Sequence, residues 1–136
     1  MSGQDQGILE ALALNEDKIS KLYELYAGIY EKYYGFWYML SSDELSHAAW
    51  LRSLDRSYRN GTLVVNEKRF NITAVKLFGD YLDQKAVEVQ NNELPMEKAL
   101  VIALDIENSL IEKSWFTMLE SALTEDKLML QRLPRH

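Results

Sequence analysis

From Ile8 to Tyr34 the residues Leu12, Ile19, Tyr23, Tyr26, Tyr30 and Tyr33 recur at steps of three, four and seven, the spacing that gathers side chains on one stripe of an α-helix. Gly35 interrupts this pattern, and a second one resumes near Phe36 with Leu40, Leu51, Leu54 and Tyr58 on one stripe, stopping at Asn60-Gly61. The connection is short, so the two helices are expected to run antiparallel, each covering the other's apolar stripe.

Thr62 to Phe70 has the β-branched run Thr62-Leu63-Val64-Val65 and no helical period, and reads as an extended connector crossing the bundle. Asn71 suits the N-cap of a helix to about Gln90, with Asn91-Asn92 at its end. The tripeptide Asn71-Ile72-Thr73 also matches a glycosylation sequon, but the cap is the preferred reading. Pro95 fits the first turn of a further helix, continued by Leu100, Ala103, Leu104, Leu110, Ile111, Ser114 and Met118 to about Ser121. Thr124 offers another cap, with only about nine residues before Pro134, too few for a helix as long as the others. The expected class is all-α: one domain over residues 1–136, an antiparallel helical bundle with a long crossover in residues 62–94. Residues 1–7 are expected to be a flexible N-terminus, and residues 122–136 a truncated fourth helix and tail.

The net charge of −6 over 136 residues, with every basic residue near an acidic one, provides no face for a phosphate backbone, so nucleic acid is not an expected partner. The absence of cysteine excludes disulfides, thiolate metal sites and cysteine nucleophiles, which leaves oxygen and imidazole as metal ligands. The polar start, Met1 to Gly7, does not read as a signal peptide, and no apolar run is long enough to span a bilayer, so the cytoplasm is the expected location.

Glu44-Leu45-Ser46-His47 lies in the second helix, and the spacing of three places the carboxylate and the imidazole within the arc of Leu40, Leu51 and Leu54. Glu16 shares the edge of the first helix's stripe, whereas Glu24 and Glu31 turn away. Glu107 falls among Leu100, Leu104, Leu110, Ile111 and Ser114, while Glu112 points to solvent. Buried carboxylates need a partner or a metal. His47 is then a metal ligand or a structural histidine bonded to a neighbouring Glu or Tyr. Tyr23 to Tyr38 reads as core with hydroxyls reaching polar groups, and Asp80, Asp83, Lys85 and Glu88 as a solvated face.

Three segments together carry a family resemblance: Asn15-Glu16 with Leu22-Tyr23 and Tyr26-Ala27; Phe36-Trp37 with Glu44, His47-Ala48 and Trp50-Leu51; and Ala103 through Glu112. They resemble the ferritin-like, rubrerythrin-type domains over roughly residues 8–130. The resemblance implies that Glu16, Glu44, His47 and Glu107 are ligands of a dinuclear iron centre, or of a related manganese or zinc pair, that serves oxygen or peroxide reduction or iron handling. It also implies a redox partner protein. The chain departs from the family at the second Glu-x-x-His: Glu120 is followed at the third position by Leu123 and Glu125 by Leu128, and the other histidine, His136, is the last residue.

The short fourth helix is expected to leave apolar stripes of the first and third long helices to a second copy, giving a homodimer. The rival expectation is a metal-free, degenerate ferritin-like scaffold that acts as an oligomerisation or interaction module.

Overall fold

A computed structural model describes residues 7–65, 71–92 and 94–109. Within them the chain forms four α-helices: α1 (Ile8–Ile29), α2 (Tyr34–Arg59), α3 (Ile72–Asn91) and α4 (Met96–Glu107), with one turn of 3-10 helix, Glu31–Tyr33, between α1 and α2. No strand occurs among the described residues, so the all-α class holds there. None of these helices is long and apolar enough to cross a membrane.

The first corner lies five residues before the expected one. The chain leaves helical geometry at Tyr30 (φ −103°, ψ 66°), whose N–H donates to the Tyr26 carbonyl, and Gly35 sits inside the first turn of α2. Aromatic packing sets this corner: the Tyr30 ring lies 6.0 Å from that of Tyr26 and 6.4 Å from Trp37, and its hydroxyl donates to the Leu94 carbonyl. At the other end of α2 the stop falls as expected, with Asn60 as C-cap and Gly61 at φ +86°, the left-handed conformation that glycine adopts without strain. Asn71 caps α3, its side chain accepting from the Ala74 N–H at 3.1 Å.

Cross-helix contacts set the directions. Ser20 meets Ser41, and Glu10 and Asp17 meet Arg52, so α2 runs antiparallel to α1. Asn15 donates to the Val75 carbonyl and Lys18 pairs with Asp83, so α3 runs parallel to α1. Tyr30 meets Leu94 and Tyr23 meets Glu107, so α4 descends antiparallel to α1 and parallel to α2. Thus α3 carries the chain back along the bundle, and this return lets Glu107 approach the middle of the α1–α2 pair.

The third long helix was expected to reach Ser121, with Leu100 and Leu104 facing inward. Instead α4 ends at Glu107, where Asn108 turns the chain; Asn and Ser favour such ends because their side chains compete for backbone groups. The buried face is Ala99, Ala103 and Ile106, while Leu100, Val101 and Leu104 are exposed. Residues 99–104 are apolar on every side, so periodicity could not pick the inner face, and the two alanines allow the closest approach to α1. The α1 stripe is also covered, contrary to expectation: Ile19, Tyr23 and Tyr26 have no exposed surface. Leu110, Ile111, Ser114, Met118, the crossover residues 66–70 and 93, the N-terminus 1–6 and the short fourth helix and tail at 122–136 lie outside the described residues.

The core has two apolar clusters. One gathers Leu9, Leu12, Leu51, Leu54 and Val75; the other holds Leu22, Tyr23, Tyr26, Trp37, Leu82 and Ile106. Burying each such side chain contributes about 1.5–3 kcal/mol. Between them lies a buried polar layer of Asn15, Glu16, Ser20, Ser41, Glu44 and His47.

The α1–α3 contact is close enough to discriminate between glycines. A Cβ on Gly79 would stand 2.7 Å from Asn15 Oδ1, an amide held by its bond to the Val75 carbonyl, whereas one on Gly28 meets nothing within 4 Å. We predict that Gly28→Ala raises unfolding free energy by roughly 0.5–1 kcal/mol through helix propensity. Gly79→Ala should lower it, because overpacking costs about 1–3 kcal/mol and outweighs the same gain. Urea denaturation of both variants checks the opposite signs.

Candidate metal centre

Helix α1 supplies Glu16 and helix α2 supplies Glu44 and His47, all three buried. On α2 the spacing of three stacks the carboxylate and imidazole on one face, with His47 Nδ1 3.3 Å from Glu44 Oε2 and 3.9 Å from Glu16 Oε1. One donor atom from each of the three lies within 4.8 Å of the others. Register is held from both sides: Ser41 hydrogen bonds with the Ser20 hydroxyl at 2.8 Å and donates to the Ser20 carbonyl at 3.0 Å. Beyond His47, Arg52 reaches Glu10 at 3.1 Å and Asp17 at 2.7 Å.

Glu107 joins from α4. It was expected on the buried stripe but is an exposed residue, as are Leu100 and Leu104 on its helix; its carboxylate nevertheless accepts the hydroxyl of the buried Tyr23 at 2.9 Å. It is also close enough to hydrogen bond with Glu44. The four residues singled out in the sequence therefore converge: Glu16, Glu44 and His47 as a tight buried trio, and Glu107 at its rim. Of the acids expected to point away, Glu24 and Glu31 are exposed. Glu112, Glu120, Leu123, Glu125, Leu128 and His136 lie outside the described residues.

The charges are interdependent. Burial alone pushes the Glu44 carboxyl up, but hydrogen bonding with Glu16 and His47, and the closeness of the imidazole, outweigh it and hold Glu44 below the usual carboxylate value. Burial, followed by the negative charge of Glu44, pushes Glu107 up to about 7, against the Tyr23 hydroxyl that donates to it. One carboxylate is thus held ionised and its neighbour is poised to keep a proton near neutrality.

Such a set can do two things chemically. Carboxylate oxygens and a neutral imidazole suit iron, manganese or zinc, and Glu16, Glu44 and His47 could hold one ion with Glu107 closing the site. With protons in place of an ion, the same groups form a hydrogen-bonded polar cluster. Tyr23 is core with its hydroxyl on a polar group, as expected of this stretch; what periodicity did not name is the group it reaches, Glu107. Tyr23 lies seven residues after Glu16 on the same stripe, and that two-turn spacing was the available signal.

Comparison of the chain with protein-family models, with curated proteins and with solved structures returned no match. The reading of the site therefore rests on its residues.

A carboxyl whose folded pKa is raised binds an extra proton in the folded state between its unfolded and folded values. For Glu107 that interval runs from 4.5 to about 7, so stability of the metal-free protein should fall as pH rises through it. Glu44, shifted the other way, should cost stability as pH falls below the usual carboxylate value. Solvent contact at Glu107 screens part of the effect. The urea midpoint of the metal-free protein is expected to drop across that interval and to flatten in Glu107→Gln; an unchanged slope in the variant would assign the pH dependence to other groups.

Proposed function

We propose that this chain is a metal-binding protein of ferritin-like, rubrerythrin-type architecture. Its centre holds iron, with manganese or zinc as alternatives, and serves oxygen or peroxide reduction or iron handling. The observation that carries the reading is the burial of Glu16, Glu44 and His47 with donor atoms within 4.8 Å of one another. Carboxylates taken out of water are costly unless paired or coordinated, and two buried at one level with one imidazole, and a third carboxylate at their rim, are more readily explained by a cation than by packing. The course of the chain supports it too: α3 returns so that α4 runs parallel to α2 and brings Glu107, as a bundle with one long crossover requires.

In this reading Glu16, Glu44 and His47 would hold the metal, and Glu107 at their rim would add a further carboxylate to it. Bound iron supplies the change of oxidation state that reduction of oxygen or peroxide needs. The apolar clusters above and below keep bulk water out, Ser20–Ser41 and Arg52 fix the ligand spacing, and Tyr23 orients the Glu107 carboxylate.

A metal-free scaffold is favoured by one specific observation: His47 with Glu44, and Tyr23 with Glu107, already satisfy one another. Thermal unfolding decides between the two. A ligand bound only by the folded protein at a hundred times its Kd adds about 2.7 kcal/mol, so Fe(II) under anaerobic conditions, or Mn(II), should raise Tm by several degrees. Glu44→Ala combined with His47→Ala should abolish the rise. No shift in the wild-type protein at millimolar metal would leave the scaffold reading standing.

The same reading takes a second copy of the chain as the cover for exposed apolar side chains on α2 and α4, among them Tyr34, Tyr38, Leu45, Leu100 and Leu104. Sedimentation at micromolar concentration should report a dimer, and a monomer mass would rule the homodimer out.

A further inference from the structure

The stretch from Ile29 to Met39, which turns the chain from α1 into α2, carries an apolar surface that the fold leaves in solvent. Ile29, Tyr33, Tyr34, Phe36, Tyr38 and Met39 are each 43–55% exposed, so none of them is spent on the core. Between Tyr34 and Met39 only Trp37 is buried. Tyr34 and Tyr38, one helical turn apart, stack their rings at 5.6 Å with planes 17° apart and make a flat plate on the outside of α2. Tyrosine suits a contact surface because it offers a large, stiff, amphipathic area for little loss of rotamer entropy.

Two charges sit within this surface. Glu31 and Lys32 occupy the single turn of 3-10 helix at the corner, both exposed, and among the described residues neither side chain forms an ion pair or a hydrogen bond. Other exposed neighbours of opposite sign do pair, Lys21 with Glu24 and Lys85 with Glu88. Adjacent opposite charges are self-complementary about a two-fold axis, where the first residue of one copy meets the second of the other and the reverse. The corner is therefore neutral in a chain of net charge −6, and copies that repel one another elsewhere can meet there. A polyanion would find no net positive charge on it, and a polycation no net negative charge.

We propose that the α1–α2 corner is the surface on which two copies of the chain dock about a two-fold axis, with the aromatic side chains at the centre of the contact and Glu31 of each copy facing the partner's Lys32. The inference rests on the homodimer reading above and fixes the place of the contact. The rings supply the attraction, since exposed ion pairs contribute little. The charges set the register and disfavour other pairings. Glu16, Glu44 and His47 lie outside the corner, so substitutions there leave the buried trio unchanged and the contact can be tested apart from metal.

The experiment is sedimentation of the full chain over a concentration series, with circular dichroism to establish that each variant is folded. Lys32→Glu sets four acids face to face and Glu31→Lys sets four lysines, so each alone should raise the dimer dissociation constant about tenfold or more. An equimolar mixture of the two variants should return to the wild-type value as a heterodimer, because every facing pair is then opposite in sign. Tyr34→Lys should dissociate the dimer, whereas Leu77→Lys, on an equally exposed apolar residue in the half of α3 nearest the other end of the bundle, should leave it intact. A wild-type dimer indifferent to both charge reversals, a mixture of the reversed variants that stays dissociated, or an equal loss in Leu77→Lys and Tyr34→Lys overturns the corner contact and leaves the homodimer to another face. A wild-type monomer defeats the homodimer reading and the corner contact with it; if that monomer floats with phosphatidylcholine vesicles, the corner belongs to a lipid surface instead.

Discussion

Three ionisable side chains, Glu16, Glu44 and His47, lie on facing turns of α1 and α2 with almost no contact with water, and the rest of the architecture is built around that cost. Removing one partner from such a group leaves an uncompensated buried charge, which is strongly destabilising. The interior is therefore arranged in layers, with apolar residues at either end and polar ones between. The serine pair on one side and the Arg52 clamp on the other tie α1 to α2 at fixed register. Sliding either helix by one turn would carry Glu16 away from His47 and leave carboxylates in an apolar layer.

Chain direction decides what else reaches that layer. Because α3 runs parallel to α1, packed closely at Gly79 against Asn15, the chain arrives at the top of the bundle and α4 descends beside it. Its small residues, Ala99 and Ala103, let it lie close to the aromatic cluster, and its last residue, Glu107, ends at the level of Glu44. Where α4 stops is thus as consequential for the site as what it contains.

Much of this was legible in the sequence, for a physical reason: a charged residue on an apolar stripe stands out. The inward orientation of Glu16, and the stacking of Glu44 on His47, follow from helical spacing alone, and all three are buried as that spacing requires. Asn71 and Asn60-Gly61 marked helix ends because caps have local chemistry. Less was legible where the signal is tertiary. The corner at Tyr30 depends on rings brought together from α1 and α2, so Gly35, the conspicuous local breaker, misled. The inner face of α4 was hidden in a run that is apolar all round, and the role of Tyr23 depended on a carboxylate 84 residues away in the chain.

The central claim is that the buried trio is a cation site with Glu107 at its rim. The most direct measurement is anomalous X-ray diffraction at the iron edge from crystals of the protein grown anaerobically with Fe(II). The account predicts an anomalous peak enclosed by Glu16, Glu44 and His47, within bonding distance of their oxygen and nitrogen atoms. Well-ordered side chains at that level, hydrogen-bonded to one another with no anomalous density between them, would contradict it.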